Sequence, residues 1–139
     1  MKNEIYMYFE EGMPKGTAQQ KGERVIFKDG RPIIHHYTKK NVQSARDIFA
    51  YKLKKSAPPL PSDKPIAVMI CLYFQTTKRK LWGHYKTTRP DAENFTKALL
   101  DVMTECGYWF DDNQVVDLRI VKTYAEKACI YIRTEELEP

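Results

Sequence analysis

Cysteine, histidine and glycine are scarce in this chain of 139 residues, which has three cysteines, three histidines and six glycines. The cysteines, Cys71, Cys106 and Cys129, are odd in number, far apart and without a C-x-x-C pair. This pattern disfavours a disulfide framework and a structural zinc site, because both need suitably spaced cysteine or histidine partners. We expect all three cysteines to be small apolar residues of the core.

Long apolar runs are missing as well. A stretch of about 18 apolar residues, needed for a membrane-spanning helix, does not occur. The opening MKNEIYMYFEEG lacks the uninterrupted apolar core of a signal peptide, so we expect a cytoplasmic protein. Apolar residues make up 42% of the chain and charged residues 29%, which is typical of a globular protein. At this length we expect one domain, residues 1–139, that buries its core without disulfides.

Acidic residues are also missing between Asp63 and Asp91. The same stretch carries six basic residues, namely Lys64, Lys78, Arg79, Lys80, Lys86 and Arg89. With a net charge of +5 and a pI near 9.0, this distribution fits salt-dependent binding of a polyanion such as DNA. An ordinary solvated loop would have the same composition, so charge alone leaves both interpretations open.

Apolar periodicity predicts six strands, at residues 4–10, 24–27, 32–36, 66–74, 115–124 and 128–133. Asp29-Gly30 between the second and third is the strongest short signal of a β-hairpin. The nearly continuous apolar run 66–74 is typical of a central strand covered on both faces. Two helices interrupt the strands. The order predicts an α+β fold, a two-layer mixed β-sheet with two main helices on one face.

The first helix is expected to start at a Thr38 cap and to end near Lys55, and the second to run from about Ala92 to Cys106, with Gly107 after its end. Their expected buried stripes are Val42, Ala45, Ile48, Phe49 and Leu53 in the first helix, and Phe95, Ala98, Leu99, Val102 and Cys106 in the second. The loop 75–90 is long, basic and aromatic, and such loops are usually functional or mobile.

Two acidic pairs frame the second helix. Asp91 and Glu93 stand at its entrance with Lys97 one turn inside, and Asp111 and Asp112 follow an aromatic return segment. Each residue has an ordinary structural explanation as a helix cap, a first-turn acid, a surface ion pair or a turn residue. Singly, none of them indicates a site.

Chain length tests whether the two pairs can meet. From Glu93 to Cys106 the helix advances about 20 Å, and the steps from Cys106 to Asp112 recover at most about 20 Å if the chain is extended. Asp112 therefore reaches the helix entrance only if the aromatic residues 108–110 run straight back along the helix. Carboxylates that meet repel one another, which a hard cation such as Mg²⁺ or Mn²⁺ relieves, and Lys97 could then steady a phosphate.

Two blocks, R-P-D-A-E-N-F-T-K-A-L-L-D from Arg89 and G-Y-W-F-D-D-N-Q-V-V-D-L-R-I-V-K from Gly107, resemble the RusA-type Holliday-junction resolvases of bacteria and prophages. The likeness is close from Arg89 to Lys122. Upstream it is weaker, where Pro14-Lys15-Gly16 is similar to a basic N-terminal loop of the family. Glu93 stands where the family usually has Asp, a difference of one methylene that a tolerant metal site can absorb.

The resemblance implies a RusA-like fold and a metal-dependent endodeoxyribonuclease that resolves four-way DNA junctions by paired symmetric nicks, leaving 5′-phosphate and 3′-hydroxyl ends. It further implies an intertwined homodimer with two metal sites and a requirement for Mg²⁺, with Mn²⁺ as a substitute. The implied metal ligands are Asp91, Glu93 and Asp112, beside the catalytic Lys97 and the supporting residues Asn94 and Asp111. The expected DNA-binding residues are Lys15, Lys78, Arg79, Lys80, Lys86 and Arg89.

Two other functions stay open. A nuclease selective for flaps or replication forks would use the same acids, whereas a non-catalytic DNA-binding accessory protein would use them only as caps and turns. An RNA-binding module is disfavoured, because no RNP-like or G-x-x-G pattern occurs in the sequence.

Overall fold

The computed structural model describes residues 2–14, 21–38 and 40–139. The elements in these ranges are β1 (Lys2–Phe9), β2 (Lys21–Lys28), β3 (Arg31–Thr38), α1 (Lys40–Lys54), β4 (Ile66–Gln75), α2 (Ala92–Glu105), β5 (Val115–Ala125) and β6 (Ala128–Glu136). Single 3₁₀ turns occur at Arg79–Leu81 and Asp112–Gln114. The α+β class and the order of elements predicted from the sequence are confirmed.

The main sheet has the strand order β1-β6-β4-β5. β4 is central, parallel to β5 and antiparallel to β6. Parallel neighbours need a crossover connection, and the chain between β4 and β5 supplies it with α2. The short link Glu126-Lys127 then carries the chain across the end of β4, so that β6 pairs with β4 instead of β5.

The core lies between the two helices and one face of this sheet. Side chains alternate along each strand, and the buried row includes Ile70 and Leu72 of β4 and Ile130 and Ile132 of β6. Phe95 of α2 joins the layers through edge-to-face contacts, with ring centroids 5.8 Å from Phe49 of α1 and 6.2 Å from Phe74 of β4. Both helices therefore cover the same face, as predicted.

The opposite face of the sheet carries aromatic side chains. Tyr6 of β1 and Tyr131 of β6 lie there with ring centroids 4.9 Å apart. Met69 and Tyr73 of β4 are only partly buried on this face. Cys71, also on this face, is buried, and the expectation that the fourth strand is covered on both faces stays a prediction for the face opposite the helices.

The buried stripe of α1 consists of Ala45, Phe49 and Leu53, three of the predicted positions. Ile48 is 40% exposed, so its prediction is wrong. At about 100° per residue, Ile48 lies beside the stripe and turns toward solvent. The predicted contributions of the Thr38 and Val42 side chains lie outside the described side chains.

The stripe of α2 matches the prediction except at its end. Phe95, Ala98, Leu99 and Val102 are buried, joined by Met103, while Cys106 at the helix C-terminus is only partly buried. Gly107 has a φ of +87°, which confirms its predicted position after the helix. Cys71 and Cys129 are buried, and the three cysteines are free.

The hairpin β2–β3 forms a separate two-stranded sheet. Asp29 and Gly30 have φ values of 54° and 75°, the two left-handed residues that a type I′ turn requires, which confirms the predicted hairpin. Its apolar residues face outward: Val25 is 61% and Phe27 is 75% exposed.

The segment 76–90 lies along the outer edge of β5. Gly83 N–H donates to the Tyr124 carbonyl at 2.9 Å, Tyr124 N–H donates to the His84 carbonyl at 3.0 Å, and Lys86 N–H donates to the Lys122 carbonyl at 3.0 Å. The long loop expected from the sequence is therefore tied to the sheet by backbone hydrogen bonds.

Among the helices that the structure describes, none is both long enough and apolar enough to cross a lipid bilayer.

Replacing Leu99 with alanine tests the contact between α2 and the sheet. Leu99 is fully buried, so Leu99→Ala is expected to lower the free energy of unfolding by about 2–5 kcal/mol through lost burial and a residual cavity. The matched control is Leu60→Ala, because Leu60 is 78% exposed, and it should leave stability nearly unchanged. Denaturant unfolding measures both; equal effects would contradict the assignment of the core.

Candidate active site

Asp91 occupies the N-cap position of α2, as predicted. Its backbone is extended (φ −64°, ψ 133°), and its carbonyl accepts the first helical hydrogen bond from Phe95 N–H at 3.1 Å. Within the described chain, its side chain makes no capping hydrogen bond, and the residue is exposed. The carboxylate of Asp91 is therefore available to a ligand.

Glu93 and Lys97 lie on the side of α2 away from its buried stripe. Both are exposed, and their spacing of four residues places them one above the other on the helix surface. Asn94, between them in sequence, is partly buried. The start of α2 thus presents two carboxylates and an ammonium group to solvent on a rigid element.

The chain returns from α2 through three aromatic residues. The hydroxyl of Tyr108 donates to the Leu53 carbonyl at 2.7 Å, and Trp109 Nε1 donates to Thr104 Oγ1 at 2.8 Å. Tyr108 and Trp109 are buried, but Phe110 is 67% exposed. The predicted aromatic return therefore packs at its first two residues and leaves the core at the third.

Gln114 fixes the turn that carries the second acidic pair. Its side-chain oxygen accepts from the N–H groups of Phe110 and Asp111, each at 2.9 Å. Its amide nitrogen donates to the carbonyls of Ser62 at 2.8 Å and Lys64 at 3.0 Å. The predicted site does not include this residue, although Asp111 and Gln114 have the spacing of a capping box, a signal present in the sequence.

Asp112 lies in a strongly acidic environment. Partial loss of hydration, a hydrogen bond to Asp111 and the negative charges of Asp111 and Asp101 raise its pKa, while the N–H of Asn113 acts in the opposite direction. Asp111 also accepts a hydrogen bond from Asn113 N–H at 2.8 Å, which fixes its own carboxylate in the turn. A bound cation would relieve this repulsion.

The two acidic pairs lie at different levels of α2. Asp101, whose charge acts on Asp112, is ten residues after Asp91, an advance of about 15 Å along the helix. Among the side chains that the structure describes, those of residues 2–14, 25–34 and 45–139, no three of histidine, cysteine, aspartate or glutamate are grouped closely enough to hold a metal ion. Joint ligation by Asp91, Glu93 and Asp112 therefore stays a prediction.

The donor chemistry of both pairs fits a hard divalent cation, because each pair offers carboxylate oxygens. Asp91 and Glu93 are exposed at the helix entrance, and Asp111 and Asp112 are exposed in the turn. The pKa of Asp112 is raised first by partial loss of hydration and then by its neighbours Asp111 and Asp101.

Five of the predicted DNA-binding residues lie in the segment along β5. Lys78, Arg79 and Lys80 are exposed at the 3₁₀ turn, and Arg89 is exposed beside α2. Lys86 is partly buried, with Nζ 5.3 Å from the ring centroid of Phe74 and 5.1 Å from that of Tyr124. The remaining predicted residue, Lys15, lies outside the described residues.

Comparison with known proteins gives one family. The family model described as "Endodeoxyribonuclease RusA" matches residues 11–135. A crossover junction endodeoxyribonuclease of Lactococcus phage r1t is 30% identical over 123 residues, covering 87% of this chain and 89% of that protein.

Two further relatives carry the name crossover junction endodeoxyribonuclease RusA. The protein of Shigella sonnei is 53% identical over 80 residues, and that of Escherichia coli is 31% identical over 80 residues. Each match covers 58% of this chain and 58% of the relative. The chain therefore matches little more than half the length of these two proteins.

Replacing Asp112 with asparagine tests the acidic environment. The pKa of Asp112 is higher in the folded chain than in the unfolded chain. The ionised carboxylate is therefore disfavoured by folding, and the free energy of unfolding falls as the pH rises from the unfolded pKa through the folded pKa. Asp112→Asn is therefore expected to raise the melting temperature at pH 7, with the gain shrinking toward pH 4. Thermal unfolding at both pH values measures it, with the exposed Asp63→Asn as control. A less stable Asp112→Asn variant at pH 7 would contradict the assignment.

Proposed function

The chain belongs to the RusA family of endodeoxyribonucleases, and from this premise we propose that it resolves four-way DNA junctions by paired symmetric nicks that leave 5′-phosphate and 3′-hydroxyl ends. The observation that carries the proposal is the presence of exposed carboxylates at the entrance of α2 and in the turn that follows it. These acids belong to a chain with a net charge of +5, which suits a polyanionic substrate.

Asp91, Glu93 and Asp112 would hold Mg²⁺, for which Mn²⁺ could substitute. Such a cation, when bound, supplies charge neutralisation at the attacked phosphate and a more acidic water. Lys97, one turn after Glu93, would donate to the phosphate oxygens as negative charge develops. Asn94 and Asp111 support the ligands, the latter through its hydrogen bond from Asn113 N–H.

Lys78, Arg79, Lys80, Lys86 and Arg89, together with Lys15, would bind the DNA arms through phosphate contacts, which position the substrate without reading its sequence. Arg79 lies 5.7 Å from the ring centroid of Trp82, whose Nε1 donates to the Thr76 carbonyl at 2.9 Å. This packing supports a preformed basic surface. The three free cysteines suit the cytoplasm as the place of action.

A homodimer is the assembly that this function needs. Two matching strands of a junction must be cut, and a two-fold symmetric enzyme presents two equivalent sites. The different levels of the two acidic pairs on α2 support a site that a second copy completes. The outward-facing apolar residues of the hairpin β2–β3 offer a surface for that second copy.

Asp91→Asn tests the nuclease site. It is expected to bind a synthetic four-way junction as tightly as the unmodified protein. Its rate of cutting with Mg²⁺ is expected to be at least about 100-fold lower, because a cation ligand is lost. Asp63→Asn, a change of the same kind at an exposed position, should cut normally. Cutting by Asp91→Asn at the unmodified rate would refute the site.

Substrate comparison separates the remaining functions. A linear duplex, a flap and a four-way junction are incubated in parallel with Mg²⁺ and then with EDTA. Preferential cutting of the flap would identify a flap or fork nuclease. Junction binding that survives EDTA, without cutting under any condition, would identify a DNA-binding accessory protein.

Phe27→Lys tests the hairpin as the contact between copies. Phe27 is 75% exposed, so the change should leave the single chain folded, while a buried charge at the dimer contact should shift the sedimentation coefficient to that of a monomer. Leu60→Lys places the same charge at another exposed apolar residue and should remain dimeric. Dimerisation of Phe27→Lys at the unmodified affinity would exclude the hairpin.

A further inference from the structure

Lys122 reaches from β5 to the loop that precedes Asp91. Its Nζ donates to the carbonyl oxygens of Thr88 and Pro90, each at 2.7 Å. Such charge-assisted hydrogen bonds are shorter and stronger than those between neutral groups. One ammonium group therefore donates hydrogen bonds to two of the three backbone carbonyls that immediately precede Asp91.

The contact with Pro90 acts almost directly on Asp91. The Pro90 carbonyl shares a rigid peptide plane with the nitrogen and Cα of Asp91. A group that fixes the direction of this carbonyl therefore fixes the position from which the Asp91 side chain leaves the backbone. Asp91 also starts α2 through its hydrogen bond from Phe95 N–H, so the loop and the helix entrance are aligned together.

The backbone of Lys122 is fixed by pairing on both sides of β5. It is paired with Leu72 of β4 on one side, and its carbonyl accepts from Lys86 N–H on the other. Tyr124, two residues later on the same face of β5, is hydrogen-bonded through its hydroxyl to Thr88. Two neighbouring side chains of one strand thus hold the same loop.

Packing alone does not call for a lysine at this position. Lys122 lies on the helix-facing side of β5, in the row that contains Ile120, and it is only partly buried. An unbranched apolar side chain of similar length would cover the same surface as the lysine stem. What such a side chain would lack is the donor to the two carbonyls.

We propose that Lys122 is a positioning residue for Asp91, holding the loop 88–90 so that the Asp91 carboxylate meets its cation. The proposal rests on the proposed function for the role of Asp91, and its structural part stands on the two hydrogen bonds. Neighbours that orient a ligand typically contribute about 10–100-fold to metal affinity or activity.

The test compares Lys122→Met and Lys122→Arg with Lys127→Met, a change at an exposed lysine in the β5–β6 link. The readouts are amide hydrogen exchange over residues 88–95, the Kd for Mn²⁺, and kcat and KM on a four-way junction. Lys122→Met is expected to exchange faster in this segment, to bind Mn²⁺ about 10-fold more weakly, and to lose about 100-fold in kcat with KM within about twofold. Lys122→Arg should recover part of the loss, and Lys127→Met should match the unmodified protein.

Unchanged exchange and unchanged Mn²⁺ affinity in folded Lys122→Met would overturn the proposal. So would a rise in KM with unchanged Mn²⁺ affinity, since Lys122 would then contact DNA. If Lys122→Met fails to fold, Lys122→Gln takes its place with the same expected and overturning results. If the unmodified protein cuts no DNA, the proposed function fails, while the hydrogen-exchange comparison still decides the role of Lys122.

Discussion

Parallel pairing of β4 with β5 is the constraint on which the rest of the fold depends. Two parallel neighbours cannot be joined by a tight turn, so the chain must leave the sheet, cross its face and return to the starting end. Here the crossover contains α2, with Asp91 at its entrance and Asp112 in the turn that leads back. Both acidic pairs thus belong to a connection whose course is set by strand pairing and by burial of Leu99 and its neighbours.

Charge is distributed unevenly along α2. The acids of its second half are compensated by α1, since the guanidinium of Arg46 lies 2.6 Å from Glu105 and 3.6 Å from Asp101. The acids at its entrance are exposed. In the turn after it Asp111 lies beside Asp112, and the pKa of Asp112 is raised. Repulsion that a folded chain tolerates in this way is typical of functional sites, where stability is given up for chemistry.

Local patterns predicted what local physics decides: the hairpin turn at Asp29-Gly30, the extent of α2, the glycine after it and the family of the chain. The strand order could not be predicted, because the short β5–β6 link suggests neighbours and only the tertiary fold places β4 between them. The prediction for Ile48 was wrong. The helical period places this residue at the border of the buried stripe, and whether a border residue is buried depends on the surface against which the helix packs. The capping-box spacing of Asp111 and Gln114 is visible in the sequence. The distant carbonyls to which Gln114 and Lys122 donate are brought near only by the fold, so sequence spacing does not reveal these bonds. The joint metal site itself stays a prediction.

The outer edge of β5 is occupied at Lys122 and Tyr124 by the backbone of Gly83, His84 and Lys86. Open strand edges are templates on which further chains can add, the first step of fibre formation. With this stretch of edge already paired, the backbone of another chain has no free hydrogen-bonding groups to pair with at these positions of β5.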